Sequence, residues 1–174
     1  MSLYQNKYRI ETIRSTEWDY SNPWWYYVTI NTKNRVSYFG EVVNEEMVLN
    51  KLGQVAETFW KQIPIHYRNV ELDYYVIMPN HIHGIIILNA TVETRHASSL
   101  HQKKPTLSNI IGSFKSAVAK YAHENGISKF FWQSRFYDRI IRNKKELYNI
   151  RKYIEQNPLK WYYEKDSPEN IYEL

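Results

Sequence analysis

The chain is 174 residues long, 43% hydrophobic and 24% charged, with no cysteine and a net charge of +5 from 23 Lys and Arg against 18 acids. This length suits one domain, residues 1–174, around a single core. The lack of thiols excludes disulfides and Cys-ligated metal centres, and no apolar run approaches the roughly 20 residues that span a bilayer.

The basic balance combines with 16 Tyr and 6 Trp. Cations interleaved with rings suit a polyanion whose bases can stack, single-stranded nucleic acid in particular. The N-terminus has no signal-peptide core, so the expected location is the cytoplasm, with no membrane partner.

Residues 1–23 read as a polar arm ending in the turn-like Asp19–Pro23. Trp24–Thr32, WWYYVTINT, is rich in aromatic and β-branched residues and reads as a strand, with Ser37–Val43 as a short hairpin partner. Leu49, Leu52, Ala56, Phe59, Trp60 and Ile63 recur at helical spacing until Pro64 stops the run. Val70–Met78 and His81–Leu88 are two strands joined through Pro79 and Asn80, a pair that favours a turn. Residues 89–105 lose hydrophobicity and gather Arg95, His96, His101, Lys103 and Lys104, as expected of a mobile loop able to touch phosphates.

Leu107, Ile110, Ile111, Phe114, Ala117, Val118 and Tyr121 form the stripe of an amphipathic helix, with Thr106 placed to cap it and Gly126 near its end. Lys115 and Lys120 lie off that stripe and are assigned a minor role in DNA binding. Phe130–Arg142 reads as a lead-in segment and a fourth strand, with Arg135, Arg139 and Arg142 as candidate phosphate contacts. Asn143 and Glu146 have the spacing of a capping box that opens a last helix, Pro158 ends it, and residues 159–174 follow as a tail. Tyr148 is expected to face solvent, and Tyr162 and Tyr163 to pack or stack within that tail.

Strand, helix, strand, strand, helix, strand is the order of the ferredoxin-like arrangement. The expected class is therefore α+β, a βαββαβ antiparallel sheet with two helices on one face. The last helix is an addition. Its apolar residues Leu147, Ile150 and Ile154 should dock it on the body, and Tyr153 at the edge of that stripe shares a side with Asn157 one turn on.

Side chains alternate along a strand, so His81 and His83 project from one face and Ile82 from the other. At the start of an apolar strand, where the sheet opens to solvent and Gly84 leaves room for a ligand backbone, the two imidazoles make a candidate metal site. Without thiolates the other ligands are amide, carboxylate or water oxygens, which favour magnesium or manganese, or zinc if the His pair dominates. Taken alone, H-x-H is more often merely two polar residues at a strand end.

The motifs MPNHIHGIII, LSNIIGSFKSAVAKY, FWQSRFYDRIIR and IRKYIEQNPLKW occur in this order after YSNPWWYYVTI and FGEVVNEEMVLNKLGQ. Together, over about residues 14–161, they resemble the single-tyrosine HUH transposases, specifically the REP-associated tyrosine transposase branch. The resemblance implies a metal-dependent enzyme that cleaves and rejoins single-stranded or hairpin DNA. It implies a divalent metal, Mg2+ or Mn2+, held by His81 and His83, and a nucleophilic tyrosine on a helix, which by that match is Tyr153. Relatives often place a glutamine four residues after the tyrosine as third metal ligand; here that position is Asn157, a shorter side chain. Attack by Tyr153 would leave a 5′-phosphotyrosine and a free 3′-hydroxyl. One such tyrosine per chain implies two active sites for a full cycle, as a homodimer would provide.

Two other classes fit the same residues. One is a domesticated, non-catalytic protein that binds single strands or hairpins, and the other is a hydrolase that uses water in place of Tyr153. Because imidazole ligates metals only when neutral, activity is expected to fall below about pH 6.5.

Overall fold

The computed structural model describes residues 18–90 and 104–164, together with the backbone of Leu3–Tyr4 and Lys7–Tyr8, which pair antiparallel. Apart from those four residues the expected arm up to residue 17 lies outside the described residues, as do the loop residues Arg95, His96, His101 and Lys103 and the tail from residue 165.

Strand β1 (Trp25–Asn31) is followed by a hairpin of β2 (Gly40–Val43) and β3 (Glu46–Leu49), then by helices α1 (Lys51–Lys61) and α2 (Ile63–His66). Next come β4 (Val70–Ile77), β5 (His81–Leu88), α3 (Leu107–Glu124), β6 (Tyr137–Ile140), α4 (Lys144–Glu155) and α5 (Asn157–Glu164). The main sheet has the order β4-β5-β1-β6 and is antiparallel at every junction. This is the expected ferredoxin-like arrangement with helices added at the C-terminal side.

Register assigns the faces. Thr29 pairs with His83 and Tyr26 with Ile86, so even-numbered positions of β1 and β5 share one face and odd-numbered positions the other. The even face carries Tyr26, Val28, Ile30, Ile82, Ile86 and Leu88 into the main core, under Leu52, Ala56 and Trp60 of α1 and Ile110, Phe114 and Val118 of α3. Burying each large side chain contributes about 1.5–3 kcal/mol, so this cluster dominates stability. The odd face carries Tyr27, Ile85 and Ile87 into a smaller cluster with Ile150 and Ile154 of α4.

Three expectations are corrected. Gly40–Val43 pairs with Glu46–Leu49 in its own two-stranded sheet and not with β1. Asn44 and Glu45, both at positive φ (49° and 66°), supply the left-handed pair that a tight two-residue turn needs. Pro158 does not end helical structure. Helix α4 stops at Glu155 and α5 restarts at Asn157 with Pro158 in its first turn, where a missing N–H costs nothing, so residues 159–164 are helical. The Asn143–Glu146 cap forms on one side only. Asn143 Oδ1 accepts from Glu146 N at 2.9 Å, while the Glu146 carboxylate turns to Arg142 N at 2.8 Å and the Arg139 guanidinium at 2.6 Å.

Candidate active site

All eight residues of β5 are buried, His81 and His83 included at 7% and 5% exposure. The expectation that the sheet opens to solvent here is therefore corrected. Helices α4 and α5 bring side chains over the strand end, with Trp161 5.7 Å from the His81 ring and Tyr153 5.2 Å from the His83 ring. The room left by Gly84 is not for a ligand either. A Cβ there would stand 2.3 Å from Trp60 Cζ2, on the face opposite the imidazoles, so the glycine admits a core tryptophan.

The two imidazoles lie 4.5 Å apart between ring centroids. His81 Nδ1 is 2.7 Å from Asn80 Oδ1, and Asn80 Nδ2 donates to Arg35 O at 2.9 Å, which fixes the amide orientation. With an amide oxygen opposite it, His81 Nδ1 is the protonated nitrogen and Nε2 keeps the lone pair. His83 Nδ1 lies 2.7 Å from Tyr27 Oη and 2.9 Å from Thr29 Oγ1, and Thr29 donates onward to Tyr27 at 3.2 Å. Hydroxyls thus engage Nδ1 of the second ring as well. Neighbours of this kind orient metal-ligating histidines.

Burial pushes His81 down to about 4, aided by the Arg35 charge and opposed by a hydrogen bond with the Asn157 side chain. His83 is held well below the ordinary imidazole range, by burial first and then by His81 and Arg35. Both rings are therefore neutral, the form that ligates metals. Asn157 is buried beside His81. Among the described residues no three His, Cys, Asp or Glu form a metal-holding group. The available donors are thus two imidazole nitrogens and an amide oxygen, which fit a divalent ion that takes its remaining ligands from water or phosphate oxygens.

Tyr153 is half-buried and belongs to the same chain as the histidines it faces. Its ring also stands 6.5 Å from Tyr27 at 87°, with Lys160 Nζ 4.8 Å above it. Two phenols therefore approach His83, and burial separates them. Tyr27 is 2% exposed, and desolvation raises its pKa well above the phenol range, so it keeps its proton. Tyr148, as expected, is exposed.

The candidate phosphate contacts divide by face. Arg139 is on the imidazole face, across from Tyr27 in the ladder, and is ion-paired with Glu146 at 2.6 Å. Arg135 and Arg142 are exposed on either side of β6. Lys115 and Lys120 are not brought to the His pair, because α3 covers the opposite face. Lys115 Nζ donates to Gln133 O at 2.7 Å, and Lys120 is 3.8 Å from Glu124. Tyr27, Thr29, Asn80, Arg35, Lys160 and Trp161 were not foreseen as parts of the site. Alternation along Trp25–Asn31 puts Tyr27 and Thr29 on one face, but only the pairing of Thr29 with His83 makes that the imidazole face.

No family model matches the chain. An uncharacterized protein of Haemophilus influenzae is 35% identical over 159 residues, which span 86% of this chain and 88% of that one. The chain belongs to that protein's family. Among solved structures it is similar to a REP-associated tyrosine transposase bound to a REP hairpin, with TM-score 0.59 and 21% identity over 90% of this chain and 81% of the other. The fold of the chain is thus that of the REP-associated tyrosine transposases, as the motifs implied. Among the described residues no helix is long and apolar enough to cross a membrane.

Proposed function

We propose that this protein cuts and rejoins single-stranded or hairpin DNA by transesterification, with Tyr153 as nucleophile and a Mg2+ or Mn2+ ion held by His81, His83 and the Asn157 amide. The observation that carries the reading is the meeting of the His81–His83 pair on β5 with the Tyr153 ring of α4, at 4.5 and 5.2 Å between centroids within one chain. The REP hairpin bound by the similar transposase supports hairpin DNA as the substrate class, and a cytoplasmic location goes with it.

When bound, the ion would polarise the scissile phosphate and offset charge as the transition state forms. Asn80 on one side and Tyr27 with Thr29 on the other hold the two imidazoles in place for it. The Tyr153 oxygen gives up its proton and forms a bond to phosphorus, the bond from phosphorus to the 3′ oxygen breaks, and that oxygen takes up a proton and leaves as a 3′-hydroxyl, so no net proton is gained or lost. A 5′-phosphotyrosine results. One phosphodiester has replaced another, so the step is nearly balanced in free energy and the 3′-hydroxyl can reverse it. Lys160 Nζ, 4.8 Å over the Tyr153 ring, adds positive charge on the face of a phenol whose oxygen must become negative. Tyr27 is excluded as nucleophile by its burial and raised pKa.

The test is incubation of the protein with a labelled hairpin oligonucleotide and Mn2+, followed by a denaturing gel. A protein-linked product is expected from the wild type and, at saturating Mn2+, from Tyr27→Phe, and none from Tyr153→Phe or in the presence of a chelator. Undiminished adduct in Tyr153→Phe would assign the nucleophile elsewhere.

A further inference from the structure

The imidazole face continues past the site. Trp25 pairs with Ile87 four residue pairs along the ladder from the pairing of Thr29 with His83, so at about 3.3 Å per residue the far end of this face lies about 13 Å from His83. There a cleft of about 810 Å3 opens between the strand ends and the first half of α4, the helix that also carries Tyr153. Its walls include Trp24, Trp25, Leu147 and Tyr148, with Arg142 and Lys144 at the rim.

The rings are presented and not buried: Trp24 is 40% and Tyr148 66% exposed. Trp24 is also held rigid, since its Nε1 donates to Ile141 O at 2.8 Å and Trp18 meets it edge-on at 5.7 Å. Such an indole keeps its orientation without a ligand, so little ordering is required on binding. Arg142 and Lys144 are exposed, and among the described residues neither side chain is in an ion pair. A cleft of this size with flat apolar walls and unpaired cations at its lip complements a ligand that is aromatic on one side and anionic on the other.

We propose that this cleft is a stacking subsite for a nucleobase of the DNA strand, a few nucleotides from the phosphate attacked by Tyr153, with Arg142 and Lys144 on the adjoining phosphates. The inference rests on DNA being the substrate, as proposed above. A strand laid along α4 passes from Tyr148 to Tyr153, so the subsite would set which phosphate reaches the nucleophile.

The test compares binding of a short oligothymidine and an abasic oligomer of the same length to the full chain, by fluorescence anisotropy without metal. The wild type should prefer the thymidine oligomer roughly five- to hundred-fold, the range for stacked bases. Tyr148→Ala and Trp24→Ala should each shrink that preference several-fold while leaving abasic affinity unchanged. Arg142→Gln with Lys144→Gln should weaken both oligomers alike and flatten the salt dependence. An unchanged preference in Tyr148→Ala, an exposed residue whose loss leaves the fold intact, overturns the proposal, as does failure of the wild type to bind either oligomer. The same result is expected if another segment of this chain fills the cleft.

The covalent-adduct assay separates the two proposals. Adduct from the wild type with unchanged base preference in Tyr148→Ala sinks the cleft alone. Base preference lost in Tyr148→Ala without any wild-type adduct keeps the cleft and sinks the cleavage reading.

Discussion

The two faces of β5 are almost equally buried, yet they do opposite things. Ile82, Gly84, Ile86 and Leu88 enter the α1 and α3 side, where apolar contact alone satisfies them. His81 and His83, on the other side, keep polar partners at every turn, from Asn80, Tyr27, Thr29 and Asn157. A buried polar group without a partner costs about 1–3 kcal/mol, so the second face can exist only because those partners converge. The comparison shows where the candidate chemistry resides. It lies in the pairing of a covered strand with hydroxyls and amides of four residues, Tyr27 and Thr29 on β1, Asn80 in the turn and Asn157 on α5, and exposure is not its mark.

The largest effect is expected at Tyr153. Tyr153→Phe removes one oxygen and keeps the ring contacts with His83 and Tyr27. Adduct formation should fall to background while thermal unfolding shifts by less than about 1 kcal/mol. A variant that lost fold and adduct together would show the phenol oxygen to be structural.

Acid sharpens the contrast next, because only one face titrates. In the metal-free protein His81 takes up a proton at about 4 when folded and at about 6.5 when unfolded. Between those values the unfolded chain holds the extra proton, so stability is full above about 6.5 and declines as pH falls through 4. The contribution at stake is on the order of a few kcal/mol. Urea melts at about pH 7 and about pH 5 should therefore differ, and His81→Gln should remove part of the difference, the rest belonging to His83, whose pKa is lowered in the same direction. The same burial revises the expected activity profile. A ring kept neutral to about 4 can still ligate below pH 6.5, so metal-dependent cutting should persist there.

The core face is tested by Gly84→Ala. The added methyl must displace the Trp60 ring, which real contacts of 2.3 Å never tolerate, and overpacking of this kind costs about 1–3 kcal/mol. Denaturant titration should report that loss, and adduct yield per folded molecule should stay within about twofold. A large loss of adduct at full stability would mean that the faces communicate.

Much of this was legible from residue order. Helical and strand periodicity located the elements of the core, and their sequence implied the ferredoxin-like sheet. Alternation put His81 and His83 on one face, and four-residue spacing brought Asn157 near Tyr153. The helix breaks at Gln156, yet Asn157 still meets His81 while Tyr153 meets His83. Partners across strands were not legible. Tyr27 and Arg35 touch the site or its field only through register and a turn at positive φ, and neither has a signature in a single sequence. The hairpin turn at Asn44 and Glu45 was missed for a related reason, as it lacks the glycine that usually marks such turns. Pro158 was ambiguous because proline both stops a helix and suits the first turn of the next.

The smallest expected effect separates support from chemistry within the polar face. Tyr27→Phe keeps the ring that stacks on His83 at 5.6 Å and removes the hydroxyl 2.7 Å from Nδ1. Thr29 Oγ1 remains at 2.9 Å, so the imidazole keeps a partner and stability should fall by only about 1 kcal/mol. What should change is how firmly the ring is held. Mn2+ affinity measured by calorimetry should weaken roughly ten- to hundred-fold, the usual cost of removing an outer partner of a ligating histidine. Tyr27→Phe with Thr29→Val, which strips both hydroxyls, should weaken it further than either change alone. If Mn2+ affinity is the same in the double variant and the wild type, the hydroxyl pair only satisfies a buried nitrogen, and orientation of His83 comes from packing against Tyr153 and Tyr27.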